Sequence, residues 1–228
     1  ESRRNYAPHA DGIVIIDPVE DDPMVQRLMD SRLPVVTSER FPSGRQSAGA
    51  VWSDHGREAQ RLLDHLADRG ARRPALIASV TKSDWAVGII DSFRSWCAAR
   101  GIDPTMIFAT FGGDPEIVRE ETRRLLAEHP EIDALLCASD GVAAAVVPTI
   151  AAAGRSIGTD LLLASCVDST TLSPPVTAID TRGGEAGSAC ARLLLQLLDG
   201  EEVESSTIEL PLELLIRDST AGPIGQRS

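Results

Sequence analysis

Serine, aspartate and histidine, the side chains of a nucleophilic relay, follow one another in Ser53-Asp54-His55. A relay needs the histidine to lie between the other two in space, and three consecutive residues cannot achieve this by local geometry. The glycine pairs Gly112-Gly113 and Gly183-Gly184 are not followed by the Lys-Ser/Thr of a phosphate-binding loop. The sequence separations of the four histidines are not those of metal ligands: His9, His55, His65 and His129. The sequence therefore predicts no catalytic centre, no metal and no cofactor, and the protein is not expected to be an enzyme.

The cysteines and the charge balance point to an ordinary globular chain. Each cysteine lies in an apolar run, without a CxxC pair: Cys97, Cys137, Cys166 and Cys190. This favours buried free thiols in a reducing, cytoplasmic compartment. Lys and Arg number 22 against 34 Asp and Glu, a formal net charge of −12, which argues against a nucleic-acid-binding face within this segment. No run reaches the ~18 apolar residues of a membrane span, so no membrane contact is expected.

Short apolar runs alternate with amphipathic segments along the whole chain. Because most runs are continuously apolar, they favour strands of a parallel sheet covered on both faces. Eight strands are predicted, at 12–16, 34–37, 50–52, 75–80, 106–109, 134–138, 161–166 and 176–179. The segments between them carry apolar positions at helical spacing, and they begin at capping residues such as Asp54 and Asp114. Strands that alternate with helices predict an α/β fold with right-handed crossovers.

The end of the chain reads Leu210-Pro211-Leu212-Glu213-Leu214-Leu215-Ile216-Arg217-Asp218-Ser219-Thr220. This segment resembles the "LPTELVVREST" segment of the LacI/GalR (lac/galactose repressor) family of transcription regulators. Weaker motifs of the same family occur in the same order along the chain. They are 11–14 for "DGII", 33–36 for "IPVV", 54–77 for "D…HL…GHRRIALI", 92–94 for "GFR", 138–140 for "AND" and 174–179 for "PPLTTV". Together they identify the chain as a member of this family.

The resemblance implies a two-lobed, periplasmic-binding-protein-like fold in which each lobe is a parallel sheet flanked by helices. Lobe one would comprise residues 1–67 and 177–203, and lobe two residues 68–176 and 204–228. A ligand would lie in the interlobe cleft, at the carboxyl ends of the strands. The helix-turn-helix of the family and its opening strand–helix–strand have no counterpart in this chain. The connection between Asp168 and Pro174 is shorter than in the family.

Ligand-binding residues follow from the same resemblance. Glu39-Arg40 stands where the family often has "DR", although Glu39 could instead form a surface ion pair with Arg40 or Arg45. Asp17 follows Ile16, which replaces an asparagine of some members. Trp85 could stack on a sugar ring or serve as a core aromatic. The family's cleft arginine is replaced by Ile89, which predicts a neutral effector.

The family's "ND" and "GYDD" positions supply the remaining candidates. Ser139 and Asp140 could contact a ligand, cap the following helix, or do both. Asp168 could accept two sugar hydroxyls, since an ionised acceptor forms the stronger hydrogen bonds. A shift of one residue in register would put Val167 at that position instead.

The family implies the effector-binding and dimerising core of a bacterial transcription regulator. A small polar effector, expected to be a sugar, would change the angle between the lobes of a homodimer. That change would control operator DNA binding through an amino-terminal domain that this chain does not contain. The alternative is a secreted solute-binding protein of a sugar uptake transporter, because the fold is shared and a fold does not fix a function.

Overall fold

The structure is a computed structural model that describes residues 10–110, 112, 114–169, 172–201, 206–222 and 224. Of the histidines and glycines considered above, His9 and Gly113 lie outside these residues. The chain forms two compact units, Glu1–Trp52 with Gly183–Leu210, and Ser53–Arg182 with Pro211–Ser228. Both are built on sheets of mainly parallel strands that are flanked by helices. The predicted α/β class is confirmed.

Ten strands, six α-helices and one short 3₁₀ helix occur within the described residues. In chain order they are β1 (Ile13–Ile16), α1 (Pro23–Met29), β2 (Val35–Ser38), β3 (Gly49–Trp52), α2 (His55–Asp68), β4 (Pro74–Ser79), α3 (Asp84–Ala98), β5 (Thr105–Ala109), α4 (Pro115–Glu128), β6 (Ala134–Cys137), α5 (Val142–Ala152), β7 (Leu162–Ser165), β8 (Thr177–Asp180), α6 (Gly183–Leu198), β9 (Thr207–Glu209), β10 (Glu213–Leu215) and the 3₁₀ helix Asp218–Thr220. The eight strands predicted from the sequence correspond to β1–β8.

The first unit contains a four-stranded parallel sheet of order β1-β2-β3-β9. Helix α6 packs closely on one face, because Gly49 has no side chain there. A Cβ atom at Gly49 would lie 2.6 Å from Leu193 Cδ2. Helix α1 lies on the other face, where Ile15, Val35 and Phe41 are buried with it.

The second unit contains a six-stranded sheet of order β10-β8-β7-β6-β4-β5. Five strands are parallel to one another, and the edge strand β10 is antiparallel to β8. Side chains of α2 and α3 form the core on one face and those of α4 and α5 the core on the other. Burial on both faces explains why β4, β6 and β7 are continuously apolar.

The observed division differs from the predicted lobe boundaries of 1–67 with 177–203 and 68–176 with 204–228. Helix α2 belongs to the second unit, since Leu62, Leu63 and Leu66 share its core with α3. Strand β8 pairs with β7 of the second sheet and β9 pairs with β3 of the first. The boundary predicted after residue 203 falls outside the described residues. Strand pairing and helix packing are long-range contacts, which local patterns do not reveal.

All four cysteines are buried and free, as predicted. Burial raises the pKa of the Cys166 thiol to about 12 and raises that of Cys137 further. Both residues lie at the carboxyl ends of neighbouring strands, at or just after β6 and β7. Because a thiolate is the reactive form of cysteine, neither thiol is a nucleophile near neutral pH.

Candidate functional site

The carboxyl ends of β7, β6 and β4 meet at one edge of the second sheet, because these strands are parallel neighbours. We call this edge, formed by residues 79–85, 138–141 and 166–168, the second-unit edge. It brings together four residues predicted from the sequence: Trp85, Ser139, Asp140 and Asp168. In open α/β sheets, ligands bind at this end of the strands.

Two serine hydroxyls at the second-unit edge are buried without a hydrogen-bond partner among the described residues. Ser139 follows β6 with 2% of its surface exposed, and its Oγ makes no hydrogen bond within this part of the chain. Ser83 follows β4, is 0% exposed, and its Oγ is likewise unsatisfied. A buried hydroxyl without a partner costs about 1–3 kcal/mol. Two such groups at a single sheet edge are suited to receive hydrogen bonds from a bound polar molecule.

Ser83 was not predicted from the sequence. It stands at the N-cap of α3 with an extended backbone, φ −96° and ψ 160°, yet its side chain makes no capping hydrogen bond. A serine before a helix indicates a cap, so the sequence pattern favours a structural role. Only the tertiary structure shows that this hydroxyl has no hydrogen-bond partner among the described residues. The nearby Ser79, in contrast, bonds through its Oγ with Thr81 Oγ1 at 3.0 Å.

Helix α5 does not begin where the sequence suggested. Its N-cap is Gly141, in the left-handed region at φ 76°, so neither Ser139 nor Asp140 is the capping residue. Glycine tolerates this conformation, which lets the chain turn sharply after β6. Asp140 is exposed, and its Oδ1 accepts a hydrogen bond from the Gly141 amide at 2.8 Å. Ser139 and Asp140 are therefore positioned by the turn rather than used as the helix cap.

Trp85 lies in the first turn of α3 and is half-buried. Its indole packs against the core that α2 and α3 share, which supports the core alternative. The residue as a whole is nevertheless only partly buried. Ile89, one turn later, is 1% exposed and belongs to the same core. The position where the family often carries an arginine is therefore occupied by an apolar core residue.

Asp168 forms an ion pair with Arg217 of the segment that follows β10. The two guanidinium nitrogens contact the two carboxylate oxygens at 2.5 and 3.0 Å. The side chains are 18% and 21% exposed, so the pair is largely removed from water. The hydrogen bond from Arg217 to Asp168 raises the pKa of that arginine. The backbone amide of Val167, the alternative register, is bonded to Ser165 Oγ at 3.2 Å.

The remaining predicted residues lie at the carboxyl edge of the first sheet. Asp17 follows β1 and Glu39 follows β2, and both have positive φ angles, 49° and 78°. Positive φ is uncommon for residues other than glycine, and such residues often cluster at functional sites. The guanidinium of Arg40 stacks on the Trp52 ring, 3.4 Å from its centroid. Arg45 forms an ion pair with Asp30.

Within the described part of the chain, no group of three or more His, Cys, Asp or Glu side chains could hold a metal ion. None of its helices has the length and apolar character needed to cross a membrane.

In open α/β sheets of this kind, ligands bind at the carboxyl edge, where this unit has polar, unsatisfied groups. Comparison with known families also indicates a ligand-binding protein. Residues 63–220 match the family model described as periplasmic binding protein-like domain. The chain therefore belongs to this family, and its resemblance to the effector-binding cores of LacI/GalR regulators is confirmed.

One sequence relative and two solved structures show the extent of the similarity. The HTH-type transcriptional regulator CelR of Thermobifida fusca is 28% identical over 219 residues, which cover 92% of this chain and 64% of CelR. A solved transcriptional regulator CelR–cellobiose complex superposes with a TM-score of 0.82 at 26% identity, covering 92% of this chain and 66% of that one. A LacI-family regulatory protein from Chloroflexus aggregans gives a TM-score of 0.80 at 25% identity, covering 92% and 77%. The chain thus spans about two thirds of the length of CelR.

Proposed function

We propose that this chain is the effector-binding core of a bacterial LacI-type transcription regulator. Its effector is a small, neutral, hydroxyl-rich molecule, most simply a sugar, that binds at the second-unit edge. The observation that carries the proposal is the pair of buried, unsatisfied hydroxyls of Ser83 and Ser139. The cellobiose complex of the CelR relative supports the choice of a sugar.

The chemistry of the second-unit edge favours a neutral ligand. A hydroxyl both donates and accepts a hydrogen bond, so Ser83 and Ser139 complement the hydroxyl groups of a sugar. The guanidinium of Arg217 is already neutralised by Asp168. Ile89 is apolar and buried, so it offers no donor to a phosphate or carboxylate. Trp85, a partly buried residue of the same edge, has an aromatic ring of the kind that packs against the apolar face of a sugar.

The remaining parts of the proposal concern the whole protein. Asp17, Glu39 and Arg40 of the first unit remain predicted effector contacts, as does Asp140 of the second, whereas the carboxylate of Asp168 already binds Arg217. The regulator is proposed to be a cytoplasmic homodimer that binds operator DNA through an amino-terminal domain. The relatives in the comparison are transcription regulators and not enzymes, so neither an enzyme nor the solute-binding protein of a transporter is favoured.

Isothermal titration tests the proposal with cellobiose, lactose, glucose and glucose 6-phosphate as probes. We expect a neutral sugar to bind the wild-type chain. Ser139→Ala should weaken that binding about 5- to 150-fold, the loss expected for about 1–3 kcal/mol of hydrogen bonding. Thr122→Val is the matched control, because Thr122 Oγ1 is equally buried and unsatisfied but lies on α4. It should leave the affinity unchanged.

Two results would contradict the proposal. If the Ser139 and Thr122 variants lose affinity equally, the second-unit edge is not the binding site. If glucose 6-phosphate binds more tightly than the neutral sugars, the inference of an uncharged effector is wrong.

A further inference from the structure

Arg217 contacts both ends of the connection between β7 and β8. Its guanidinium binds the carboxylate of Asp168, three residues after β7 ends. The same Nη1 atom donates to the carbonyl oxygen of Val176 at 2.9 Å, and Val176 directly precedes β8. One planar side chain therefore links the first and last parts of this connection, although it comes from a segment 49 residues further along the chain.

The backbone around Arg217 is fixed by a second, buried set of hydrogen bonds. The Arg217 amide donates to Thr177 Oγ1 at 2.9 Å, and the Thr177 amide donates to Ser219 Oγ at 2.8 Å. Ser219 Oγ in turn donates to the Leu163 carbonyl of β7 at 2.6 Å. Thr177 and Ser219 are both 0% exposed. The segment 217–222, here called the closing segment, is thus bonded to both β7 and β8.

We propose that Arg217 is a positioning residue that clamps the β7–β8 connection, which begins at the second-unit edge and ends at the amino-terminal end of β8. In this arrangement Asp168 binds Arg217 rather than the effector. The inference rests on the proposed function, because it assigns a role to the partner of Asp168, a residue of the second-unit edge. It also changes the sequence-based role of Asp168, which was expected to accept hydroxyl groups directly.

The chemistry of the ion pair favours this assignment. Both carboxylate oxygens of Asp168 accept from the guanidinium, and a bidentate, charge-assisted pair is stronger than a bond to a neutral hydroxyl. An effector hydroxyl that displaced Arg217 would leave a positive charge without a partner in a site that is about four-fifths buried. Removing one partner of such a pair is costly for that reason. A lysine cannot replace the arginine, since an ammonium group lacks the planar fork.

Hydrogen exchange on the effector-free chain tests the clamp. The reporters are the amides of Val167 and Thr177, at the two ends of the connection. The variants are Arg217→Met, Arg217→Lys and Asp168→Asn. The matched control is Arg69→Met, because Arg69 also anchors the closing segment, through the Ala221 carbonyl at 3.0 Å, without touching Asp168. We expect exchange at both reporters to be at least about tenfold faster in the Arg217 variants than in the control.

Exchange rates are compared after correction for global stability, measured by urea unfolding of each variant. Unchanged protection of Val167 and Thr177 in Arg217→Lys would overturn the clamp. If Arg217→Met fails to fold, Arg217→Lys and Asp168→Asn still give the comparison.

Cellobiose titration then distinguishes positioning from direct contact. If the clamp is correct, Asp168→Asn and Arg217→Lys weaken cellobiose binding to a similar extent, and both loosen the connection. If Asp168→Asn alone abolishes binding while both amides stay protected, Asp168 contacts the effector and the inference is wrong. If wild-type chain binds no probe sugar, the proposed function fails, but the exchange experiment still decides whether Arg217 holds the connection.

Discussion

Replacing Ser139 with alanine should stabilise the effector-free chain, although the residue is 2% exposed. Its Oγ is desolvated without a hydrogen bond to the described residues, a state that costs about 1–3 kcal/mol, and alanine removes the hydroxyl and with it this cost. A small loss of packing opposes the gain. We expect Ser139→Ala to raise the free energy of unfolding by about 0.5–2 kcal/mol.

Ser165 provides the opposite case on the neighbouring strand. It is 3% exposed, and its Oγ donates to the Val167 carbonyl at 2.7 Å and accepts from the Val167 amide at 3.2 Å. Ser165→Ala leaves both backbone groups without this partner, so we expect it to lower the free energy of unfolding by about 1–2 kcal/mol. The two substitutions remove the same atom and should have effects of opposite sign.

Urea unfolding of the effector-free variants, followed by tryptophan fluorescence, measures both changes. The midpoint should rise for Ser139→Ala and fall for Ser165→Ala, with similar slopes. Destabilisation by both substitutions would refute the reasoning, because it would show that the Ser139 hydroxyl already has a partner in the absence of effector. In saturating sugar, the wild type should have a higher free energy of unfolding than Ser139→Ala, because only the wild type gains the hydrogen bond to the sugar.

Three further predictions concern the closing segment and the core. Gly158→Ala should cost about 2–4 kcal/mol, because φ is +79° and a Cβ would lie 2.7 Å from the Asp218 carbonyl oxygen. Gly154→Ala, at φ +74° with no atom within 4 Å, should cost only about 1–2 kcal/mol in urea unfolding. Burial, and then the charge of Arg69, lower the pKa of His65 below 6.5. The folded state therefore disfavours protonation of His65. The contribution of the neutral ring to the free energy of unfolding is present above pH 6.5 and is lost as the pH falls through the folded pKa. In urea unfolding at pH 7.5 and 5.5, His65→Gln should remove this loss. The four buried cysteines should react with a thiol reagent only after unfolding, and fast reaction in the native chain would contradict their burial.

Much of the secondary structure could be predicted because it depends on local pattern. Continuous apolar runs marked β1–β8, and a capping aspartate followed by proline marked the start of α4 at Pro115. The same signal occurs at Asp22-Pro23, where the Asp22 side chain caps α1, but that seven-residue helix is too short to show a clear apolar period and was missed. Strand β9 was also missed, because its three residues are all exposed and carry no apolar run.

The candidate site was predicted in outline, since carboxyl ends of parallel strands must meet at one sheet edge. The sequence placed Ser139, Asp140 and Asp168 at such ends, and the structure brings them to the second-unit edge. It did not predict Ser83, whose type and position fit an ordinary helix cap. Nor did it predict that Arg217 binds Asp168, because no local pattern connects residues 49 positions apart.

The sequence by itself determined the α/β class, the order of the main elements and the family, because apolar period, capping residues and motif order are all local properties of the chain. Tertiary structure alone decided which unit each helix joins, which hydroxyls lose their hydrogen bonds on burial, and which charge faces Asp168. These outcomes depend on packing between segments that are distant in the sequence, because that packing decides both how far each side chain is buried and which hydrogen-bond or ion-pair partners it has. Ser139, which follows β6, and Ser165, the last residue of the adjacent β7, therefore differ in hydrogen bonding only after the chain has folded.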